Sequence, residues 1–388
     1  MMKQKLLFVT RSYLFQNNGG SNASKAYIKA FSSLYDDITL VYPENEKGLS
    51  DSFIPNKVLK RPIADHRSNI VKGFDMYRGR LLRFYVPVRD LLMKEKFDVV
   101  VFDNSITSLG LIKYAKRSDT KIITIHHNVE LEYLKDNPVS ILYSLPYRHY
   151  VKKAEGEALL NSALNLTLTN EDADEFGNMF PGKNLHLHKI GVFEYTNVIH
   201  TPKLRRDNMQ DNNCMVFVIS GSLCFKQSEA PIIDFLKYYF PLMLNKYPDA
   251  KLIITGRNPS GRLCEIVSNI EGVELIPNPE DINKVIARAN YYLCPINTGS
   301  GQKLRVMDGL RHGLPALVHS VSARGYENLV GKSIIIEYNN PESFVKAVEK
   351  LSTLHVTSDS VYEEYVKFFG LEAGTSRVCA ALRRENIK

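Results

Sequence analysis

The sequence lacks several features that would assign the protein to other classes. No apolar run approaches the ~20 residues of a membrane-spanning helix, and the apolar stretch near Met1 is too short for a signal peptide and predicts a first β-strand instead. The five cysteines are scattered and form no C-x-x-C pair, which favours free thiols in a reducing compartment over disulfides or a zinc site. A G-x-G-x-x-G motif is also absent, so the usual dinucleotide fingerprint is missing.

The composition that remains is ordinary for a globular protein of about two or three domains. The chain has 388 residues, of which 44% are apolar and 24% charged. The net charge is +8, and residues 57–96 alone hold eleven basic side chains against four acidic ones, a local charge of +7. Bulky apolar residues are interleaved with these charges, and such a stretch is attracted to anionic lipid by about 1 kcal/mol per basic residue.

Two interpretations of residues 57–96 stay open, a peripheral membrane contact and a solvated helix face over a normal core. Binding of nucleic acid is not expected, because no recognisable RNA- or DNA-binding module accompanies the charge.

Strand and helix patterns alternate along two stretches of the chain. Residues 1–195 begin as strand, loop, helix and strand, and residues 214–360 repeat the alternation with strands that start near positions 215, 251, 273, 291, 316 and 334. This pattern predicts two doubly wound α/β domains with mostly parallel sheets. The polar residues 196–213 predict a linker, and residues 361–388 predict a helical tail.

The chain is organised around residues 290–318, which predict a strand, a glycine loop, a helix, a turn and a second strand. Glycines 299 and 301 allow main-chain N–H groups to approach an anion. Leu304, Met307, Leu310 and Arg311 continue with helical spacing until Gly313 stops the helix. A helix N-terminus behind a glycine loop is a ready site for phosphate.

Side chains in the same stretch extend this prediction to a nucleoside diphosphate sugar. Lys303 and Arg305 add positive charge in the first turns of the helix, and the carboxylate of Asp308 is placed to accept hydrogen bonds from a ribose diol. The predicted donor-site residues of this stretch are Gly299, Ser300, Gly301, Lys303, Arg305 and Asp308.

This stretch resembles the donor-binding segment of retaining glycosyltransferases of the GT-B fold, GT4 type (glycosyl transferases group 1), written P-x-x-x-G-S-G-x-[KR]-x-K-V-x-E-A-x-x-x-G-x-P-V-V. Arg305 stands for the second lysine and Asp308 for the glutamate, Gly309 replaces the usual alanine, and the first of the two glutamates found in many members falls on Ser300. The matching positions are Pro295, Gly299, Ser300, Gly301, Lys303, Val306, Gly313 and Pro315.

The resemblance implies an architecture and adds residues at other strand ends. It implies two Rossmann-like domains that face an interdomain cleft, with the tail 361–388 returning to the N-terminal domain. His127, in the run His-Asn-Val-Glu, is implied to contact the donor sugar or its phosphate. Gly19 and Gly20 match a glycine pair near the donor phosphate and the acceptor, although from the residues alone they are equally a flexible turn.

In the second half, Gly221 and Ser222 match a loop where a basic residue usually meets the diphosphate. Lys226 is the nearest basic candidate, at an unusual spacing. Arg257, in the run Gly-Arg-Asn-Pro-Ser, is implied to pair with phosphate or to hold the base pocket. Each of these motifs taken alone is equally open to a structural role.

The implied function is transfer of a sugar from a nucleoside diphosphate sugar, of UDP or GDP type, to a glycan or lipid-linked acceptor in surface polysaccharide or glycoconjugate assembly. Retention at the anomeric carbon is part of that implication, and neither a metal nor a further cofactor is expected. Lys303 and Arg305 would stabilise the departing diphosphate, Asp308 would position the ribose and His127 would orient the donor. The expected location is the cytoplasm, including the inner face of the membrane.

Two alternatives belong to other functional classes. One is a nucleotide-sugar 2-epimerase of the same fold, whose sites use several carboxylates and histidines that cannot be assembled from this sequence. The other is a non-catalytic, glycosyltransferase-like partner subunit, suggested by Asp308 in place of glutamate and by the missing first glutamate.

Overall fold

The computed structural model describes residues 4–16, 18–44, 53–80, 82–116, 119–136, 141–196, 214–224 and 226–388. The chain divides into two compact units, one formed by Met1–Asn197 with Phe369–Lys388 and the other by Val198–Phe368. Each unit contains one parallel sheet covered by helices, which confirms the predicted α/β fold class. All but the first residue of the predicted linker 196–213 lie outside the described residues.

The first unit is built on a seven-stranded parallel sheet. Its strands are β1 Lys5–Thr10, β2 Asp37–Pro43, β3 Val58–Ile63, β4 Val99–Asp103, β5 Lys121–His126, β6 Leu164–Thr167 and β7 Leu187–Lys189. They lie in the order β3-β2-β1-β4-β5-β6-β7. The central strand β4 is buried along its whole length, as a parallel strand covered on both faces requires. The strand order reverses between β1 and β4, and doubly wound folds bind ligands at the carboxyl ends of such a pair.

Eight helices precede the second unit in the described part of the chain. They are α1 Gly19–Leu34, α2 Asn69–Tyr77, α3 Tyr85–Lys94, α4 Ser105–Ser108, α5 Ile112–Ala115, α6 Glu130–Asp136, α7 Ile141–Asn161 and α8 Asn170–Met179. Residues 57–96, predicted only as a basic amphipathic stretch, therefore contain a sheet strand and two helices. No described helix combines the length and the apolar composition needed to cross a membrane.

Two local predictions in this unit were wrong. Gly19 and Gly20 lie in the first turn of α1 and not in a loop, because the Asn18 side chain caps the helix by accepting the Ser21 N–H at 2.9 Å. The apolar pattern also predicts one helix over residues 109–116, but the structure has only the shorter α5 in this range, and α4 ends before it. Gly110, at φ 72°, separates them with a backbone conformation that a helix does not contain.

The second unit is built on a six-stranded parallel sheet. Its strands are β8 Val216–Ile219, β9 Lys251–Gly256, β10 Val273–Pro277, β11 Tyr291–Cys294, β12 Ala316–His319 and β13 Ile335–Tyr338. They begin within one residue of the six predicted starts and lie in the order β10-β9-β8-β11-β12-β13. The order reverses between β8 and β11, so the second switch point lies at the carboxyl ends of these two strands.

The helices of the second unit connect these strands on both faces of the sheet. A π-helical turn over Phe235–Tyr239 joins the first two of them. The helices of this unit are α9 Lys226–Asp234, α10 Phe240–Lys246, α11 Gly261–Ser268, α12 Ile282–Ile286, α13 Arg305–Arg311, α14 Ser320–Ala323, α15 Glu327–Val330, α16 Pro341–Ser352 and α17 Ser358–Phe369.

The last helix, α18 Leu371–Arg384, belongs to the first unit and packs on α1. Gly374 lies so close to the buried Phe193 ring that any Cβ would overlap it. At the end of the helix, the Glu385 carboxylate lies 2.7 Å from ring nitrogens of both His186 and His188. Burial raises the pKa of Glu385, but the hydrogen bonds from the two histidines outweigh it and leave the pKa lowered. The Glu385 carboxylate and the packing of Gly374 on Phe193 together hold α18 on the first unit.

Candidate functional site

The Gly-Ser-Gly loop lies at the carboxyl end of β11, beside the switch point of the second sheet. Gly299 and Gly301 have φ values of 88° and 70°, a conformation that glycine adopts without strain. Nζ of Lys303 folds back and donates to the Ser300 carbonyl at 2.9 Å, and the Tyr326 hydroxyl donates to the Lys303 carbonyl at 3.0 Å. Oγ of Ser300 is buried and has no hydrogen-bond partner among the described residues. The loop therefore keeps an unused hydroxyl at its centre.

Helix α13 begins after Lys303, although the charge of this lysine was predicted to lie in the first helical turns. Residues 303–306 form a turn in which the Val306 N–H donates to the Lys303 carbonyl at 3.1 Å, and the helix proper starts at Arg305. Lys303 thus precedes the helix, and the prediction that it lies in the first helical turn was wrong. The helix ends at Arg311, and Gly313, at φ 66°, follows two residues later, where the prediction placed the stop.

Arg305 brings an uncompensated positive charge to the switch point. Its guanidinium carbon lies 3.3 Å from the position that a Cβ on Gly221 would occupy. Nη2 donates to Oγ of Ser228 at 2.6 Å, while Nη1 is buried without a hydrogen-bond partner. Within the described ranges no carboxylate forms an ion pair with this guanidinium. A buried cationic donor without a partner is costly, so this position favours the binding of an anion.

The loops that follow β8 and β9 are joined through two glycines. Gly256, at φ 151°, packs directly on the carbonyl of Gly221, and any Cβ there would overlap that carbonyl. Ser222 and Arg257 form an isolated bridge, in which the Arg257 N–H donates to the Gly221 carbonyl at 3.2 Å. The Arg257 side chain itself is exposed. Lys226 is the first residue of α9, and its side chain lies outside the described part of the structure.

The carboxylate of Asp308 is held by two protein donors. Oδ1 accepts from Nη1 of Arg311 at 2.9 Å, and Oδ2 accepts from Oγ of Ser220 at 3.0 Å. Ser220 lies in turn 2.9 Å from the hydroxyl of the buried Tyr292. About 30% of the Asp308 side chain is exposed, and each carboxylate oxygen has a second lone pair. The carboxylate is thus fixed in orientation and still able to accept hydrogen bonds from a ligand.

Gly309 has a packing reason that the sequence did not reveal. From the sequence, its only visible effect was the ~1 kcal/mol cost of glycine in a helix. The Tyr292 side chain fills the space beside Gly309, and a Cβ there would overlap its Cβ and Cγ. These atoms are close to the backbone of β11 and cannot swing aside. Gly309 and Tyr292 together bring α13 close to β11 and position Asp308 beside Ser220.

At the switch point of the first sheet, His127 pairs with a residue that the sequence analysis missed. Asp103 ends β4 and is 1% exposed, and its Oδ1 lies 2.5 Å from Nε2 of His127. Thr10, at the end of β1, donates to the other carboxylate oxygen at 2.6 Å. The Tyr27 ring packs edge-on against the imidazole. The signal that would have found Asp103 is a lone carboxylate ending a fully apolar strand next to the strand that carries the histidine.

The pair shifts the pKa of both of its members. Burial lowers the pKa of His127, but the nearby Asp103 carboxylate and its hydrogen bond outweigh this and raise it. Burial likewise raises the pKa of Asp103, and the imidazolium of His127 with hydrogen bonds from Ser24 and Thr10 lowers it. The charged imidazolium–carboxylate state therefore extends over a wider pH range than either group would show alone.

The neighbouring His126 is a core residue. It is 1% exposed, its Nε2 lies 2.9 Å from Oδ1 of Asn165, and its ring packs on Phe176. Burial lowers its pKa to about 4, so it is neutral at physiological pH. Of the two adjacent histidines, only His127 is a candidate for function.

The predicted residues thus fall into separate groups. Asp103 and His127 form one group in the first unit, where Gly19 and Gly20 start α1. The members of the group in the second unit are Gly221, Ser222, Arg257, Gly299, Ser300, Gly301, Lys303, Arg305 and Asp308.

No set of three or more His, Cys, Asp or Glu side chains is arranged to hold a metal ion in the described parts of the chain. The sequence does contain one Asp-x-Asp triplet, residues 172–174. It lies in the first turns of α8, where the Asp172 N–H donates to Oγ1 of Thr169 at 3.1 Å. This is an ordinary capped helix start, and metal independence stays a prediction.

A groove of about 340 Å³ lies at the amino ends of β8, β9 and β10, the edge of the sheet opposite the glycine loops. Among its lining residues, Arg288 and Glu274 already pair with each other at 2.5 Å. The groove therefore offers no guanidinium without a counter-charge and is a weaker candidate for an anion than the surroundings of Arg305.

Part of the second unit is similar to a known protein family. Residues 215–353 match the family model described as Glycosyl transferases group 1. The chain is also 21% identical over 353 residues to an uncharacterized 44.6 kDa protein in the cps region of Klebsiella pneumoniae, with 86% of each chain covered.

Two crystal structures with similar folds extend over nearly the whole chain. One is WaaG, a glycosyltransferase involved in lipopolysaccharide biosynthesis, with a TM-score of 0.60, 15% identity, and 97% of this chain and 99% of WaaG covered. The other is Anabaena Alr3699/HepE in complex with UDP and glucose, with a TM-score of 0.65, 12% identity, and 98% and 100% of the chains covered. These likenesses establish the two-domain α/β fold of the GT-B glycosyltransferases, as predicted.

The first testable prediction concerns Gly309. Replacing Gly309 with alanine is expected to destabilise the second unit by about 1–3 kcal/mol, because the overlap with Tyr292 outweighs the gain in helix propensity. Urea unfolding measures the change. Gly261→Ala, in the same unit, is the control, since a Cβ there meets nothing within 4 Å; its effect should stay within about 0.5 kcal/mol. Equal stability of the two variants would refute the packing role of Gly309.

The second prediction concerns the pH dependence of the Asp103–His127 pair. The raised pKa of His127 stabilises the fold below the unfolded value of about 6.5, and this contribution is lost as the pH rises through the folded pKa. The lowered pKa of Asp103 stabilises it above the unfolded value of about 3.9, and this contribution is lost as the pH falls. The stability difference between wild type and Asp103→Asn is therefore expected to be largest between about pH 4 and 6.5.

Urea unfolding across this pH range measures that difference, and an NMR titration of the His127 ring should show a lower pKa in Asp103→Asn. His127→Gln and the double variant complete a cycle that isolates the interaction of the pair. A stability difference independent of pH, together with an unchanged His127 titration, would show that the two side chains are not coupled.

Proposed function

We propose that this protein is a retaining glycosyltransferase that moves a sugar from a nucleoside diphosphate sugar, of UDP or GDP type, to a glycan or lipid-linked acceptor in surface polysaccharide or glycoconjugate assembly. The observation that carries the proposal is the uncompensated guanidinium of Arg305, which lies beside Gly221 with a buried, unused N–H donor. The proposed place of action is the cytoplasm.

In the proposed donor complex, the diphosphate accepts hydrogen bonds from unused donors of the second unit. Nη1 of Arg305 and Oγ of Ser300 are two buried groups without partners, and a diphosphate oxygen would satisfy either one. Lys303 is held at the loop by the Ser300 carbonyl and adds a second positive charge. Asp308 has lone pairs left for a ribose diol.

The reaction needs electrostatic stabilisation more than a nucleophile. As the bond between the anomeric carbon and the diphosphate oxygen breaks, negative charge grows on the leaving group, and Arg305 with Lys303 would stabilise that charge in the transition state. The acceptor oxygen bonds to the same face of the sugar and its proton passes to the departing phosphate, which accounts for retention without a carboxylate nucleophile. No metal is part of this proposal.

His127 is proposed to orient the donor sugar. Its Nε2 faces Asp103, which leaves Nδ1 to meet a ligand, and the raised pKa of the imidazole favours a protonated Nδ1 that donates to an oxygen of the sugar or its phosphate. In this proposal Asp103 is a positioning residue and His127 the residue that touches the substrate.

Four comparisons support this choice of function. The family model covers the unit that holds Arg305, the similar Klebsiella protein is encoded in a cps region, and WaaG is involved in lipopolysaccharide biosynthesis. The Anabaena structure contains UDP and glucose. A nucleotide-sugar donor and an envelope glycan are brought to this chain as proposals on that basis.

The two alternatives make different demands on the same site. A nucleotide-sugar 2-epimerase would need several carboxylates and histidines around the sugar, and the only carboxylate identified in the second-unit group is Asp308, which is held by Ser220 and Arg311. A non-catalytic partner subunit would have no use for a buried cation without a counter-charge. Both features favour the transferase.

The third prediction concerns nucleotide binding. Arg305→Gln is expected to weaken binding of UDP or GDP by about 10- to 100-fold, because hydrogen bonds to a charged partner contribute about 1.5–3 kcal/mol. A thermal-shift screen of UDP, GDP and ADP followed by calorimetry measures the loss, since ligand at 100 times its dissociation constant adds about 2.7 kcal/mol. Arg262→Gln, at an exposed arginine of the same unit, should bind like wild type. Undiminished binding by Arg305→Gln would remove the central support of the proposal.

The fourth prediction concerns turnover. Lys303→Ala is expected to lower kcat by about 10²- to 10³-fold, as removal of a charge-stabilising group typically does. Transfer is measured with nucleotide sugars and a crude glycolipid fraction, and the anomeric configuration of the product is read by NMR. Interconversion of epimers of UDP-N-acetylglucosamine without any acceptor would assign the protein to the epimerases, and nucleotide binding without turnover of any donor would assign it to the partner subunits.

A further inference from the structure

Helix α2 presents its apolar side chains to solvent. Ile70 is 74% exposed, Phe74 63% and Tyr77 76%, and Val71 between them is 44% exposed. At 3.6 residues per turn these four side chains share one face of the helix, which we call the α2 face. The buried residue of this helix is Met76, on the other side. The helix is therefore amphipathic with its larger apolar side facing outward.

Ion pairs on the inward side hold α2 in this orientation. Nε of Arg67 lies 2.8 Å from Oδ1 of Asp65, and its Nη1 lies 3.0 Å from Oδ2 of Asp75, which is a residue of α2 itself. The same guanidinium donates to the Arg80 carbonyl, just after the helix, at 3.4 Å. Hydrogen bonds from Arg67 lower the pKa of Asp65 to about 2, so the bridge persists over the whole physiological range. Rotation of α2 to bury its apolar side would break this bridge.

Basic residues lie on and directly after α2. Arg78 directly follows the helix and is exposed, and Lys72 on the helix is about 40% exposed. Two of the four acids within residues 57–96, Asp65 and Asp75, pair with Arg67, and Nζ of Lys72 also lies 3.8 Å from Oδ2 of Asp65. An exposed apolar strip flanked by cations is complementary to the headgroups and acyl chains of an anionic bilayer. An apolar protein partner would not need the cations.

We propose that α2 docks on an anionic lipid surface, with Ile70, Phe74 and Tyr77 inserted below the headgroups and the basic residues of 57–96 against the phosphates. The helix has nine residues and would lie in the interface without spanning it. The inference is independent of the donor chemistry. Its one consequence that rests on the proposed function is that it favours the lipid-linked class of acceptor.

The absence of tryptophan from the sequence gives a direct test. In Phe74→Trp the single indole is expected to shift its emission to the blue by 10 nm or more when vesicles of phosphatidylcholine with 30% phosphatidylglycerol are added, and to be quenched by brominated acyl chains. Pure phosphatidylcholine should give little shift at 0.15 M salt. Tyr238→Trp, at a similarly exposed position of the second unit, is the control and should not respond.

A second set of variants measures binding without a reporter. Ile70→Ser with Phe74→Ser is expected to reduce co-sedimentation with the anionic vesicles at least tenfold, while Tyr238→Ser behaves like wild type. Nucleotide-induced thermal shifts should be unchanged in the double variant, so a failure here is distinguishable from a failure of the proposed function. If the emission wavelength of Phe74→Trp does not change when anionic vesicles are added, the proposal is overturned. A blue shift that appears without lipid as protein concentration rises would overturn it as well, since it would assign the α2 face to a second copy of the chain.

Discussion

The buried, uncompensated guanidinium of Arg305 is the constraint on which the second unit depends. A cation in that position costs free energy when no anion is bound. Several neighbouring residues nevertheless accommodate the guanidinium. Gly221 leaves room for the guanidinium, Gly256 allows its loop to pack on the Gly221 carbonyl, and Ser228 supplies a single neutral acceptor. A carboxylate partner would have relieved the cost and blocked an incoming anion. In the proposed function, the missing partner is the diphosphate of the donor.

The buried charges at the two switch points differ in their partners. At the first, Asp103 and His127 neutralise each other within the protein, and the shifted pKa values of both follow from that pairing. At the second, Nη1 of the Arg305 guanidinium is buried and has no hydrogen-bond partner among the described residues. An internally balanced pair is suited to holding a donor group at a fixed angle, and an unbalanced cation to binding and stabilising a departing anion. Both groups lie at carboxyl strand ends because parallel sheets leave open space there.

The sequence predicted what repeats regularly and missed what depends on three-dimensional neighbours. Buried parallel strands are apolar runs between turn residues, so all six strands of the second sheet were found from the pattern. The Gly-Ser-Gly loop between β11 and α13 was found because its glycines, serine and basic residues are close together in sequence. Asp103 was missed because its partner lies 24 residues away on the next strand, and Gly309 was misjudged because Tyr292, which requires it, comes from another element. The start of α1 was misplaced because the capping bond of Asn18 overrides the low helix propensity of two glycines.

Residues 57–96 illustrate a limit of hydrophobic periodicity. Periodicity reports that a helix has an apolar face, and it predicts burial only when the rest of the chain has a core to receive that face. In α2 the inward side is fixed by the bridge of Arg67 to Asp65 and Asp75, which are separated by ten residues. The same apolar side chains would have indicated a core helix if that bridge lay on their side. Charge placement, and not the apolar pattern, decides which side of this helix faces outward, and it turns an ordinary amphipathic segment into an exposed surface that needs a partner.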